Sequence, residues 1–303
     1  MHNFTHPIIK GIPHENILPK GIGLVLEGGG TRGFFSAGVF EAFMEAGVIF
    51  PYIASVSAGS ANAFSYISGQ RRRSRLIIEK YVGDSRYVGF RNILRHGTMF
   101  GYDFIFSKIP KEHVFFDHEL FRSTDIRFLT GAVDCHSGET VWFEKHELSE
   151  DFKELIASCS VPLVARVVKH NSRHLLDGGV TTPIPIEKSM ADGNNFHVIV
   201  LTRNKGYRQS PLQQGWLIRL FYKKYPKLVK ALEMRHEIYN RQIELCEQLE
   251  KEGKAIIIRP QQPLAVGRTT KDTTKLLTLH DEGYDEGRKV VDCLLARLTK
   301  HAE

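Results

Sequence analysis

The chain has 303 residues, of which 42% are hydrophobic and 25% charged. Those are the proportions of an ordinary soluble globular protein with a substantial core, and they bound the chain to one large or two modest domains. A net charge of +7 suggests an anionic partner such as membrane phospholipid, nucleic acid or an acidic metabolite, but no nucleic-acid-binding signature accompanies it.

Residues 1–21 read as an irregular N-terminal segment, punctuated by Pro7, Pro13 and Pro19. Ile22 to Leu26 is a short apolar run that stops at glycines, which predicts a buried parallel strand. Phe34 to Ala46 reads as a helix with Phe35, Val39 and Phe43 on one face. Tyr52 to Val56 is the next strand, and a small-residue helix runs from Ala58 to Ser68. This strand–turn–helix rhythm predicts an α/β fold with a mostly parallel sheet. Residues 84–118 mix aromatic with basic side chains. Phe128 to Asp134 and Glu139 to Phe143 read as paired strands about a His136-Ser137-Gly138 turn. A helix over 151–158, a strand over Arg173 to Leu176 and a strand over Val198 to Thr202 follow. Beyond residue 205 the chain reads as mainly helical, over 216–252 and from Leu276 to Leu298, with a strand over Ala255 to Arg259.

Cys135, Cys159, Cys246 and Cys293 are far apart and form no CxxC pair, so neither a zinc site nor a redox pair is expected. A reducing, cytoplasmic location is the expectation. The first residues carry no signal-peptide pattern, and no run is long enough to cross a bilayer. A protein of this kind that acted on lipid would meet it as a peripheral visitor. The Arg71-Arg72-Arg73-Ser74-Arg75 cluster reads either as a solvated helix face or as a contact for an anionic surface. The 84–118 stretch reads either as the rim of a site or as a packed cap over the core.

Two turns carry the chemistry. The first is Gly28-Gly29-Gly30-Thr31-Arg32-Gly33. It matches the dinucleotide pattern G-x-G-x-x-G, but that reading expects an acid closing the second strand, where this chain has Ala54-Ser55-Val56-Ser57. A P-loop would need Gly-Lys-Ser/Thr and fails. An oxyanion hole fits, because consecutive glycines let backbone N–H groups converge at a helix N-terminus. A tight turn with no chemical role is the remaining alternative.

The second turn is Ser55-Val56-Ser57-Ala58-Gly59. Serine on a strand-to-helix turn between small residues is a nucleophile elbow, with Ser55 standing where the pattern has glycine. A nucleophilic serine needs a base. Asp177, followed by Gly178 and Gly179, lies on a turn after a short strand. His197 comes later, so the order Ser…Asp…His is available, but it opens a buried strand and reads as structural. His170 and His174 read as surface-loop residues.

Taken together, GGGTRG, SxSxG, Ala157-Ser158-Cys159-Ser160-Val161-Pro162 and Asp177-Gly178-Gly179 resemble the patatin-like phospholipases, over residues 22–205. The resemblance implies a three-layer α/β/α fold and a Ser–Asp dyad without histidine, hydrolysing acyl esters of lipids without cofactor or metal. It makes Ser57 the nucleophile and Asp177 the general base. The amides of Gly28, Gly29 and Gly30 would form the oxyanion hole, with Arg32 beside them. Residues 22–205 are then the catalytic domain, and 206–303 match no motif. The alternative on the same fold is an inactive lipid- or acyl-binding protein. The sequence leaves oligomeric state, acyl length and head group open.

Overall fold

The runs Ile22–Leu26, Tyr52–Val56 and Phe196–Val200 are buried at every position. Strands hidden on both faces need neighbours on either side and helices above and below. The computed structural model, which describes residues 9–10, 16–213 and 215–299, has that arrangement. In chain order the strands are β1 (Ile22–Leu26), β2 (Tyr52–Val56), β3 (Arg127–Asp134), β4 (Thr140–Glu144), β5 (Val168–His170), β6 (Arg173–Asp177), β7 (Phe196–Val200) and β8 (Ala255–Ile258). Across the sheet they lie β8-β7-β1-β2-β3-β6-β5, with β4 paired to β3. The run from β8 to β3 is parallel. The pairings of β4, β5 and β6 are antiparallel.

Side chains alternate across a strand, so each strand feeds two cores. Leu24, Leu26, Val198 and Val200 face one side, where α1 (Phe34–Glu45) and α2 (Ala58–Ile67) pack. Phe35, Val39 and Phe43 of α1 are fully buried there. Val25 and Ile199 face the other side, against Ile186, Ile243 and Cys246. Those three come from α4 (Ile186–Ala191) and α5 (Pro226–Lys251), while the shorter α3 (Lys153–Cys159) precedes β5. The last helix, α6 (Thr273–Thr299), returns to the α1 face through Leu276, Leu279, Val291 and Leu294. The result is a three-layer α/β/α fold.

Details differ from the expectation. The helix expected over 216–252 is two helices, Gly215–Phe221 and α5, because Pro226 opens the second. A proline suits the first turn, where its missing N–H has no partner to lose, but it restricts the residue before it to non-helical backbone. The strand expected over 198–202 spans 196–200. Of the segment read as irregular, residues 1–8 and 11–15 lie outside the described residues, and Asn16–Ile17 pairs in parallel with Val48–Ile49. Among the described residues, no helix is long and apolar enough to cross a membrane.

The register of β3 fixes where the site forms. β2 runs with β3 and ends with Val56 opposite Gly131. β6 runs against β3 and ends with Asp177 opposite Ala132. The two strands therefore end facing each other across one step of β3. Ser57 follows the first, and Asp177 closes the second.

Candidate active site

Ser57 caps α2 with φ 53° and ψ −130°. Steric contacts make that backbone region unfavourable for a residue with a side chain, by about 1–3 kcal/mol. The surroundings hold it there. Its N–H donates to Ser158 Oγ at 2.9 Å, and its carbonyl accepts from Ala61 at 3.1 Å. Its hydroxyl donates to Asp177 Oδ2 at 2.6 Å. The other carboxylate oxygen, Oδ1, accepts from the Gly179 amide at 2.7 Å. The Asp177 amide donates to the Ser160 carbonyl at 2.9 Å. Ser158 and Ser160 thus tie the two residues to one short stretch at the end of α3. Burial raises the Asp177 carboxyl above the ordinary carboxylate range, against the pull of its hydrogen bonds and of Arg235 and Arg268.

The glycine loop lies against this pair. A Cβ on Gly28 would sit 2.9 Å from Ser57 Cβ. Gly30 has φ +59°, and a Cβ there would meet the Arg268 carbonyl oxygen at 2.3 Å. A side chain at either position would push the loop off Ser57 or off its neighbour. Gly30→Ala should therefore lower the melting temperature and the activity together, checked by thermal unfolding beside an ester assay. Among the described residues, the amides of Gly28 and Gly29 donate no hydrogen bond to backbone or side chain. Thr31 differs, since its N–H donates to the Arg268 carbonyl at 2.9 Å. Gly33 lies against Ala58 and Asn62, Gly59 against Leu26 and Glu27, and Gly178 against the Gly131 carbonyl. Arg32 is only 4% exposed, and its Nε has no partner among the described residues. Burial pushes its guanidinium down to about 10, with Glu27 opposing.

Ser55, standing where the elbow pattern has glycine, is fully buried on β2. Its Oγ lies 2.8 Å from Ser60 Oγ and donates to the Leu129 carbonyl at 2.8 Å. Ser60 Oγ in turn lies 2.8 Å from Thr130 Oγ1. The extra hydroxyl is absorbed by α2 and β3, so it costs the turn nothing in unsatisfied polarity.

Ser57 stands between two recesses. One is apolar, with about 1000 Å³ of space open to solvent, and Phe34, Phe64, Tyr102, Ile105, Phe106 and Phe116 are among its walls. Much of the aromatic 84–118 stretch is spent on it. The other, of about 770 Å³, holds Gly28, Gly29, Asp177, Arg32, Arg235 and Arg268. Among the described residues, neither recess is lined by a histidine.

His197 lies on β7 opposite Gly23, which lies opposite Tyr52. Tyr52 precedes Ser57 by five residues, which is about 16 Å along a strand. His197 is buried, with Nδ1 at 3.1 Å from Ser189 Oγ, and burial pushes it down to about 4. It is a neutral core residue at the opposite end of the sheet. His197→Asn should keep hydrolysis within a few-fold of the parent, as read by steady-state turnover.

Other expectations need correction. His170 and His174 are strand residues, on β5 and β6. His170 Nε2 is 2.8 Å from Glu154 Oε1, and His174 Nδ1 is 2.7 Å from the Tyr225 hydroxyl. The arginine cluster is no open basic face. Arg71 pairs with Glu41 and Glu45, and Arg75 with Glu79 and Asp281. Arg73 is buried, donates to the Phe115 carbonyl at 3.2 Å, and reaches the wall of the apolar recess. Ser158 lies in the 157–162 block that carries the resemblance, with no chemical role read for it from sequence, and its contact with Ser57 crosses about 100 residues. Arg235 and Arg268 are site residues that no local pattern marks, because their contacts with the turns cross over 50 residues for Arg235 and over 200 for Arg268. Among the described residues, no group of three His, Cys, Asp or Glu side chains could hold a metal ion.

Comparisons with known proteins cover these same elements. The chain is 26% identical over 187 residues to the uncharacterized protein YjjU of Escherichia coli K12. It is 23% identical over 180 residues to the uncharacterized NTE family protein Rv2565 of Mycobacterium tuberculosis H37Rv. These matches take in 61% and 59% of this chain, but 52% and 30% of those proteins. A solved structure, VipD from Legionella pneumophila, aligns over 91% of this chain and 67% of its own, with TM-score 0.46 and 11% identity. Residues 225–299 match a domain of unknown function, DUF6363. Residues 24–189 match the patatin-like phospholipase model, and that span holds the glycine loop, Ser57 and Asp177. A match over more than half of the chain settles the family: the protein belongs to the patatin-like phospholipases.

Proposed function

We propose that the chain is a serine-dependent hydrolase of carboxylic esters in lipids and phospholipids, working through Ser57 and Asp177. The observation that carries this reading is the 2.6 Å hydrogen bond from Ser57 Oγ to a buried carboxylate, beside glycine amides without a partner among the described residues. Asp177 takes the hydroxyl proton as Ser57 attacks the ester carbonyl. The amides of Gly28, Gly29 and Gly30 receive the oxyanion, with each donor contributing about 3 kcal/mol to the transition state. The alcohol leaves with the proton from Asp177, and an acyl-enzyme remains. Water, losing its proton to the same carboxylate, then releases the fatty acid and restores Ser57. The apolar recess suits the acyl chain. No step calls for a cofactor or a metal.

In this reading residues 22–205 are the catalytic core, and 206–303 complete its layers with β8, α5 and α6. A fluorophosphonate probe should label the protein covalently at Ser57, with Ser57→Ala as the blank. A hydrolysis screen across aryl esters, lysophospholipids and diacyl phospholipids then sets the substrate class. An unlabelled protein that still binds acyl chains would instead be an acyl-binding protein.

Contact with an anionic bilayer belongs to the same proposal, but at a different place from the arginine cluster. On the short helix Gly215–Phe221, Trp216, Leu220 and Phe221 are each 60% exposed or more. Exposed Lys223 and Lys224 follow directly. Leu212 and Ile218, from the same stretch, line the recess at Ser57. Aromatic and aliphatic side chains beside cations suit a lipid–water boundary. Vesicles containing phosphatidylglycerol should co-sediment the protein better than vesicles of phosphatidylcholine alone. Trp216→Ser with Phe221→Ser should cut that binding at least about tenfold, since burying each ring contributes about 1.5–3 kcal/mol. Undiminished sedimentation of the double variant would move the contact elsewhere.

A further inference from the structure

We propose that the second recess at Ser57 is a phosphate subsite for the head group of a glycerophospholipid, built by Arg235 and Arg268 from the region beyond residue 205 over a floor of Arg32. The proposal rests on the hydrolase reading and adds the half of the substrate that departs as alcohol.

Arg32, Arg235 and Arg268 all line this recess, and Asp177 is its one acidic wall residue. None of the three arginines forms an ion pair within 4.0 Å among the described residues. Guanidinium groups that outnumber the carboxylates around them repel one another, and burying them is costly unless an anion arrives. Both effects are present here: burial and the neighbouring Arg268 lower Arg235 against the pull of Asp177 and Glu27, and burial, Arg203 and Arg268 lower Arg32 against Glu27.

The donors are also partly unspent. Arg235 Nε donates to the Gly179 carbonyl at 2.6 Å, and one of its Nη groups to Gln209 Oε1 at 2.6 Å. Its other Nη group lies 4.0 Å from where a Cβ on Gly179 would stand and makes no hydrogen bond among the described residues. Arg32, almost wholly buried, keeps its Nε without a partner among the described residues. Arg268 is exposed at the mouth, and its carbonyl is held by the Thr31 amide, so its position is tied to the glycine loop. Thr31 Oγ1 donates to the Gly267 carbonyl at 3.1 Å and accepts from the Thr270 amide at 3.1 Å. The backbone of segment 267–270 is thus latched onto the loop, and the Arg268 charge carried there acts on Asp177.

Planar guanidinium forks are the side chains that bind phosphate oxygens in pairs. An ester whose carbonyl lies at Ser57 would then extend its acyl chain into the aromatic recess and its glycerophosphate into the cationic one. Neutral glycerides fill only the first of these.

The test uses full-length protein with short-chain lysophosphatidylglycerol and a monoacylglycerol of the same acyl length. Wild-type protein should favour the phospholipid in kcat/KM, and Arg268→Gln and Arg235→Gln should each lower that ratio at least about tenfold. Both arginines also act on Asp177, so part of any rate loss is common to both substrates, and only the ratio reports the head group. A ratio that stays put in both variants, while the two substrates are still hydrolysed, overturns the subsite and leaves the hydrolase standing. Calorimetric binding of the same two lipids to Ser57→Ala reads the preference without turnover. If wild-type protein hydrolyses nothing but Ser57→Ala binds the phospholipid better, and Arg268→Gln erases that preference, the subsite stands and the hydrolase reading falls. Equal affinity for both lipids overturns the subsite outright.

Discussion

Asp177→Asn should abolish ester hydrolysis, by about 10²–10⁴-fold, and at neutral pH it should also raise the melting temperature. The two effects have one cause. Burial raises the Asp177 carboxyl even with Arg235 and Arg268 nearby, so desolvation outweighs attraction. Between the ordinary carboxylate value and this raised one, the folded protein holds a proton that the unfolded chain has released. The stability linked to that proton is complete below the unfolded value and is lost as pH rises through the folded one. At neutral pH the carboxylate is therefore a burden on folding, which a neutral amide of the same shape removes. Thermal unfolding should show the gain at pH 7 shrinking as the pH falls. A variant that loses both activity and stability would mean the carboxylate is a structural partner first. The same raised group sets the pH–rate profile. In the proposed mechanism hydrolysis needs the deprotonated form, so kcat/KM should rise with pH about a midpoint above the usual carboxylate range. Arg268→Gln should move that midpoint upward, because a cation favouring the charged form has gone.

Ser57→Ala should remove hydrolysis as fully as Asp177→Asn, and Ser57→Gly should do the same while melting higher than Ser57→Ala. Both variants lack the hydroxyl, so their difference isolates the backbone. With φ 53° and ψ −130°, Ser57 sits where glycine is at ease and alanine is not. Glycine should be more stable by about 1–3 kcal/mol, although it ordinarily destabilises a folded chain through its greater freedom when unfolded. Denaturant titration of the two variants measures the gap. Alanine equal to or above glycine would show that the turn carries no strain.

The central layer was legible because burial on both faces leaves a plain mark. Ile22–Leu26 and Tyr52–Val56 are short, largely apolar runs with no polar alternation, as strands covered on both faces are. The turns were legible because glycine and small residues are what such geometry demands, as Gly28 and Gly30 illustrate. Ser57 and Asp177 could be paired only through a family resemblance, because 120 residues separate them and Gly131, the strand glycine of β3 at their meeting point, does not by itself say which segments it brings together. The block around Ser158 was visible, but the role of Ser158 was not, for a related reason. A serine that clamps a backbone amide looks like any other serine in a helix. The arginine cluster misled because charge runs say nothing of partners, and Glu41, Glu45 and Asp281 come from α1 and α6. Arg235 and Arg268 look like surface charges on helix and loop until the three layers close.

The meeting of β2 and β6 across a single step of β3 makes the Ser57–Asp177 distance a gauge of strand alignment. Strands advance by about 3.3 Å per residue, so a slip of β3 by one position against either neighbour would open a 2.6 Å hydrogen bond beyond reach. Such a slip would also exchange the two faces of the strand. Insertion or deletion of one residue within 129–132 should therefore silence the protein far more thoroughly than the same change in the loops on either side.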